Sequence, residues 1–113
     1  MPFFKEYIDL SNVNTKNVTN MSSMFIACKS LENINLSNFT CESIKNMTMM
    51  FEECELLKYI NLKNFNTNGK NVITGSMFYE YYALTKENII TQDEAILKEL
   101  MKEIEYNKKY RHN

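Results

Sequence analysis

Tryptophan is absent from this chain of 113 residues; proline and histidine occur once each, and glycine twice. With only Gly69 and Gly75, there is no glycine-rich loop to cradle a phosphate, and Asn68-Gly69-Lys70 lacks the rest of a P-loop. The single histidine, His112, lies in a polar tail without a fixed partner, and no HExxH, CxxC or nucleophile-elbow pattern is present. The formal net charge of −1 leaves no electrostatic footprint for nucleic acid or anionic lipid. No stretch approaches the roughly 18 apolar residues that span a bilayer. The opening MPFFKEYIDL has neither the basic region nor the apolar core of a secretory signal. These absences set the expectations: no enzyme, no cofactor, no bound metal, no nucleic-acid partner and no membrane span.

Hydrophobic residues at 44% and charged residues at 24% are the proportions of a folded globular chain. Cys28, Cys41 and Cys54 are an odd set, which speaks against a complete disulfide framework. Five N-x-[ST] triplets begin at Asn17, Asn20, Asn35, Asn38 and Asn46. All lie inside a recurring phrase, where glycans would obstruct packing.

That phrase dominates the chain. YIDLSNVNTKNVTNMSSMFIACKSL (7–31) is followed by NINLSNFTCESIKNMTMMFEECELL (33–57) at a constant offset of 26, and then by YINLKNFNTNGKNVITGSMFYEYYAL (59–84), one residue longer. Self-similarity at such a period marks stacked structural repeats. Alternation at Ile8/Leu10, Ile34/Leu36 and Ile60/Leu62 predicts one short strand per copy. Val18, Met21, Met24, Phe25 and Cys28, echoed by Ile44, Met47, Met50, Phe51 and Cys54, have helical spacing. The expected fold is therefore an α/β solenoid, with short parallel strands on one face and short helices on the other. Its repeats occupy residues 1–84, and a C-terminal helical cap and polar tail occupy 85–113. The cap is predicted to start on a capping box of Thr91 and Glu94 and to bury Ile96, Leu97, Leu100, Met101 and Ile104.

The phrase Leu10–Leu31, with its variants at Leu36–Leu57 and Leu62–Leu84, resembles the leucine-rich repeat of BspA-type surface proteins. The resemblance implies a leucine-rich-repeat protein of the cell-surface kind, acting in adhesion and protein binding, with its exposed sheet as the recognition face.

Outward strand positions form columns across the copies: Asp9/Asn35/Asn61, Tyr7/Asn33/Tyr59 and Glu6/Glu32/Lys58. The expected partner-binding residues are Tyr7, Asp9, Glu32, Asn33, Asn35, Lys58, Tyr59 and Asn61, with the tyrosines favoured because aromatics anchor interfaces. Three such short strands cover only a few hundred Å², less than the roughly 800 Å² per partner of a standard interface. Flanking loops, further repeats or self-association through the uncapped N-terminal edge would have to complete it. The alternative role is that of a terminal cap for a longer repeat array that binds elsewhere.

Cys28 and Cys54 lie one copy apart, at about 5 Å if neighbouring strands set the spacing, so a disulfide is sterically open to them. Tyr81 at the third position argues instead for a column of packed side chains. Cys41 aligns with Thr15 and Thr67 and reads as a partly exposed loop thiol. Asn12, Asn38 and Asn64 are expected to bond backbone where the chain leaves the sheet.

Overall fold

Three strands appear where apolar alternation placed them, and a fourth, which alternation did not indicate, follows the repeats. In the computed structural model, which describes residues 6–8, 10 and 12–111, these are β1 (Glu6–Ile8), β2 (Leu31–Asn35), β3 (Tyr59–Asn61) and β4 (Ile89–Ile90). They form one parallel sheet in chain order, with Ile34 opposite Ile60 and Ile60 opposite Ile89. The inward residues Ile34, Leu36, Ile60 and Leu62 are fully buried. Phe39 and Phe65, three residues beyond Leu36 and Leu62, stack at 6.3 Å between ring centroids.

The expectation of a leucine-rich-repeat solenoid with helices on its second face is corrected by this structure. The described residues make a small compact body, with a radius of gyration of 13.7 Å. About 13 Å is the value for a globule of this length. Its single α-helix, α1 (Glu94–Tyr110), lies outside the repeats.

The segments with helical spacing are runs of tight turns. Met24, Ile26 and Cys28 each donate their N–H to the carbonyl three residues back, at 3.2–3.3 Å. Ser23 and Ala27 have φ of 56° and 55°, and Met49, Glu53, Ser76 and Glu80 repeat this at equivalent places. A left-handed residue every fourth position forbids a helix. The amides between them turn outward to the next copy. Met21, Ser23, Phe25 and Ala27 donate to the carbonyls of Asn46, Thr48, Met50 and Glu52 at 2.8–3.0 Å. Met47, Met49, Phe51 and Glu53 donate in the same way to Ile73, Gly75, Met77 and Tyr79. From Met21 to Ala27 and from Met47 to Glu53 these bonds all run in one direction, whereas at the bridges that open the turns Asn46 and Ile73 donate back to Thr19 and Lys45.

This wall therefore has strain offset by cross-copy hydrogen bonds. An L-residue in the left-handed region costs roughly 1–2 kcal/mol, whereas glycine is free of that cost but loses about 0.5–1 kcal/mol of chain entropy. Ala27 is exposed, so Ala27→Gly changes little else. It is expected to stabilise the protein by up to about 1 kcal/mol, and Ala27→Val to destabilise it. The urea midpoints of the two variants, moving in opposite directions, check this.

Inward-facing side chains of the turns complete the core. Phe25, Phe51 and Phe78 form a continuous stack, with centroids 5.6 and 5.8 Å apart and planes within 7°. Met21, Met47, Met50 and Met77 pack around it. Met24, expected in the core, is 43% exposed, because it belongs to the first copy and its equivalents Met50 and Met77 are each covered by a preceding one.

Helix α1 closes the opposite end. Its N-cap is Asp93, whose carboxylate accepts from Ile96 N–H at 3.0 Å, and not the predicted Thr91; the Thr91 hydroxyl instead accepts from Asp93 N–H. Ile96 and Leu100 enter the core and Ile104 packs against it, whereas Leu97 points to solvent.

Candidate functional site

On the outer sheet face, Asn33 pairs with Tyr59 and Asn35 with Asn61. Tyr59 is 37% exposed, Lys58 is exposed, and Asn33 and Glu32 are half-buried. Lys58 reaches back to Glu32 at 3.3 Å. Such an exposed pair contributes little to stability. It does fix the two side chains beside the tyrosine. Asn35 and Asn61 are committed locally: their side-chain oxygens accept from the N–H of Ser37 and Lys63 at 2.9 and 3.0 Å. The backbone of Tyr7 pairs with Asn33 in β1, while Asp9 lies outside the described residues. The structure thus brings Glu32, Asn33, Lys58 and Tyr59 together, with Asn35 and Asn61 beside them as turn-forming residues.

The same turn chemistry accounts for three of the N-x-[ST] triplets. Asn20, Asn35 and Asn46 each accept an N–H from the residue two positions on. These are Asx turns. Asn38 and Asn64 donate their side-chain amides to carbonyls of the preceding copy, at Leu10 and Ser37.

Cys41 is buried, contrary to the reading of a partly exposed loop thiol. It occupies a column with Thr15, Thr67 and Asp93, in which each side chain accepts from backbone of the next copy or holds its neighbour. Thr15 Oγ1 accepts from Thr40 N–H at 2.9 Å, and the Asp93 carboxylate accepts from Thr67 hydroxyl at 2.9 Å. Burial raises the Cys41 pKa, against the opposing effect of an Asn66 backbone hydrogen bond. A thiol so held is a poor nucleophile. Cys28 and Cys54 are unbridged; Cys54 donates to Phe25 carbonyl at 3.1 Å, and burial pushes its thiol up to about 12. The Tyr81 hydroxyl, next in that column, donates to the Leu57 carbonyl.

A second constellation, which sequence reading missed, gathers at the end of α1. Arg111, read as part of a polar tail, places its guanidinium carbon 5.2, 5.1 and 4.6 Å from the ring centroids of Tyr79, Tyr82 and Tyr106. One guanidinium nitrogen donates to Glu103 Oε2 at 2.5 Å and to Asn107 Oδ1 at 3.0 Å. The burial of the group works against its charge, but the Glu103 carboxylate outweighs this and holds its pKa above the ordinary value. Glu103 also accepts Glu80 N–H at 3.2 Å, and the buried Asn107 donates to the Tyr81 carbonyl at 2.9 Å. The available signal was the spacing Glu103, Asn107, Arg111 at i, i+4 and i+8, one face of the helix. Beside this cluster runs an open groove of about 630 Å³, floored by Leu84, Met101 and Ile104.

At the other end, the carbonyls of Asn20, Ser22, Met24 and Ile26 occupy the places at which later copies accept hydrogen bonds, and no N–H among the described residues donates to them. Two copies meeting face to face there would oppose acceptor to acceptor.

Among the described residues no three His, Cys, Asp or Glu side chains are grouped to hold a metal, and no helix is long and apolar enough to cross a membrane. These features define an α/β domain of repeated phrases, sealed by one helix, with a polar and aromatic sheet face at one side. A family model described as a Mycoplasma protein of unknown function, DUF285, matches residues 3–111, and the chain belongs to that family. No curated protein and no solved structure matches it.

Proposed function

We propose that this chain is a protein-interaction module without catalytic activity, working in adhesion or surface binding as the BspA-type resemblance implies. The observation that carries this reading is the outer sheet face, where paired strands bring exposed Tyr59 beside Asn33 and the Glu32–Lys58 pair. Tyrosine with one face open and a polar surround is the composition of an interface anchor. On this reading the recognition residues belong to the repeats of 1–84, and 85–113 is the cap, although its Ile89–Ile90 strand also joins the sheet. Tyr7 and Asp9 stand in the same columns of the sequence.

The test is binding of the full chain to a panel of extracellular-matrix and serum proteins by interferometry. Against any binder, Tyr59→Ala is expected to weaken affinity by about thirtyfold, the effect of a 2 kcal/mol anchor, with an unchanged urea midpoint. Leu97→Ala, on the exposed side of α1, serves as the control. A binder indifferent to Tyr59→Ala and Lys58→Glu removes the sheet from the proposal. The second reading, a terminal cap for a longer repeat array, would then lead. It is favoured by the way Glu103 and Asn107 of α1 hold the last copy at Glu80 and Tyr81.

A further inference from the structure

We propose that Tyr79, Tyr82, Tyr106, Glu103 and Asn107 form a binding site for an arginine side chain of a partner protein, and that Arg111 fills this site in the isolated chain. Three aromatic faces within about 5 Å of one guanidinium, together with a carboxylate and an amide oxygen receiving its N–H groups, constitute a recognition site for a planar cation.

The chemistry selects guanidinium over ammonium. A flat delocalised cation contacts ring faces and presents N–H groups at its edge, whereas the compact lysine head holds its water and matches neither feature as well. The ligand class is read from the occupant, because Arg111 shows which group these five side chains accommodate.

Geometry also makes exchange feasible. The three tyrosines are 41%, 49% and 46% exposed, so the cage is open on its outer side. Arg111 lies one residue beyond the last residue of α1, and among the described residues its guanidinium is held by Glu103, Asn107 and the rings. Swinging it out leaves Ile96 and Leu100 in the core, and with them the docking of the helix. The Tyr82 hydroxyl donates to Glu80 Oε2 at 2.7 Å, which fixes that ring independently of Arg111. The site lies at α1, apart from the sheet face, and stands whether or not that face binds.

The experiment is titration of the Arg111→Ala chain with N-acetyl-arginine amide, read by NMR at the ring protons of the three tyrosines. Saturable millimolar shifts are expected, with N-acetyl-lysine amide requiring about tenfold more. Adding Tyr106→Ala should abolish them. In the unsubstituted chain, the same shifts should need about tenfold higher concentration, because the internal Arg111 competes. Arg111→Gln, read in the same way, covers the case in which Arg111→Ala does not fold. The proposal is overturned if the folded variant shows no saturable shift, if lysine and arginine amides act alike, or if the rings of the unsubstituted chain never move. Arg111 would then be a staple of the helix end and nothing more.

Discussion

Phe51→Ala is expected to destabilise the protein by about 4–5 kcal/mol, lowering its melting temperature by roughly 16–20 °C at about 4 °C per kcal/mol. Phe51 is fully buried and lies between two other rings, so its loss removes both aromatic contacts and leaves a cavity that neither turn can collapse to fill. Each stacked pair contributes about 0.5–1.5 kcal/mol beyond area burial. Since whole domains are stable by only about 5–15 kcal/mol, this one substitution consumes a large share. Phe25→Ala, at the end of the stack and with one ring partner, should cost less, about 3 kcal/mol. Urea unfolding with an unchanged slope measures both. If Phe51→Ala cost under about 1 kcal/mol, the stack would not be what holds the turns in place.

Asp93→Ala should cost about 3 kcal/mol, more than an ordinary helix cap. Its side chain is 2% exposed and accepts from the Thr67 N–H, the Thr67 hydroxyl and Ile96 N–H. Removing it strands all three donors at once, and buried unsatisfied groups cost more than the mean value of the bonds they lose. The same carboxylate ties β-side turn to helix, so amides in the first turns of α1 should exchange with solvent faster than those around Phe51. Asp93→Asn, which keeps one acceptor oxygen, should lose about half as much. Equal stability of Asp93→Ala and the unsubstituted chain would show that α1 docks by its apolar face alone.

Repetition made the strands and their register legible: Ile34/Leu36 and Ile60/Leu62 alternate, and the structure pairs Ile34 with Ile60. The helix α1 was legible from its apolar face. The turns were not, because Met21, Phe25 and Cys28 have the spacing of a helix and of two successive tight turns alike. What separates the two is where the amides go, and their acceptors at Asn46, Thr48, Met50 and Glu52 are a whole copy away. For the same reason Cys41 read as a loop residue: it is buried in the core that the copies form together. Of the residues expected on the sheet face, Asn35 and Asn61 proved to be turn formers. The tyrosine cage was obscured because its rings come from the third copy and from α1, and Arg111 looked like the start of a charged tail.

The one-way bonding of the turns from Met21 to Ala27 and from Met47 to Glu53 has an electrostatic consequence. Peptide dipoles at equivalent turn positions add head to tail from copy to copy, as they do along a helix axis, but here the axis runs across the chain. The first copy is therefore the negative pole of the wall, ending in the carbonyls of Asn20, Ser22, Met24 and Ile26, and the third copy is the positive pole. Glu103 of α1 sets a carboxylate against that positive pole, at the amide of Glu80. The negative pole favours an approaching N–H or cation. This wall of turns is vectorial, and its two edges are electrical opposites.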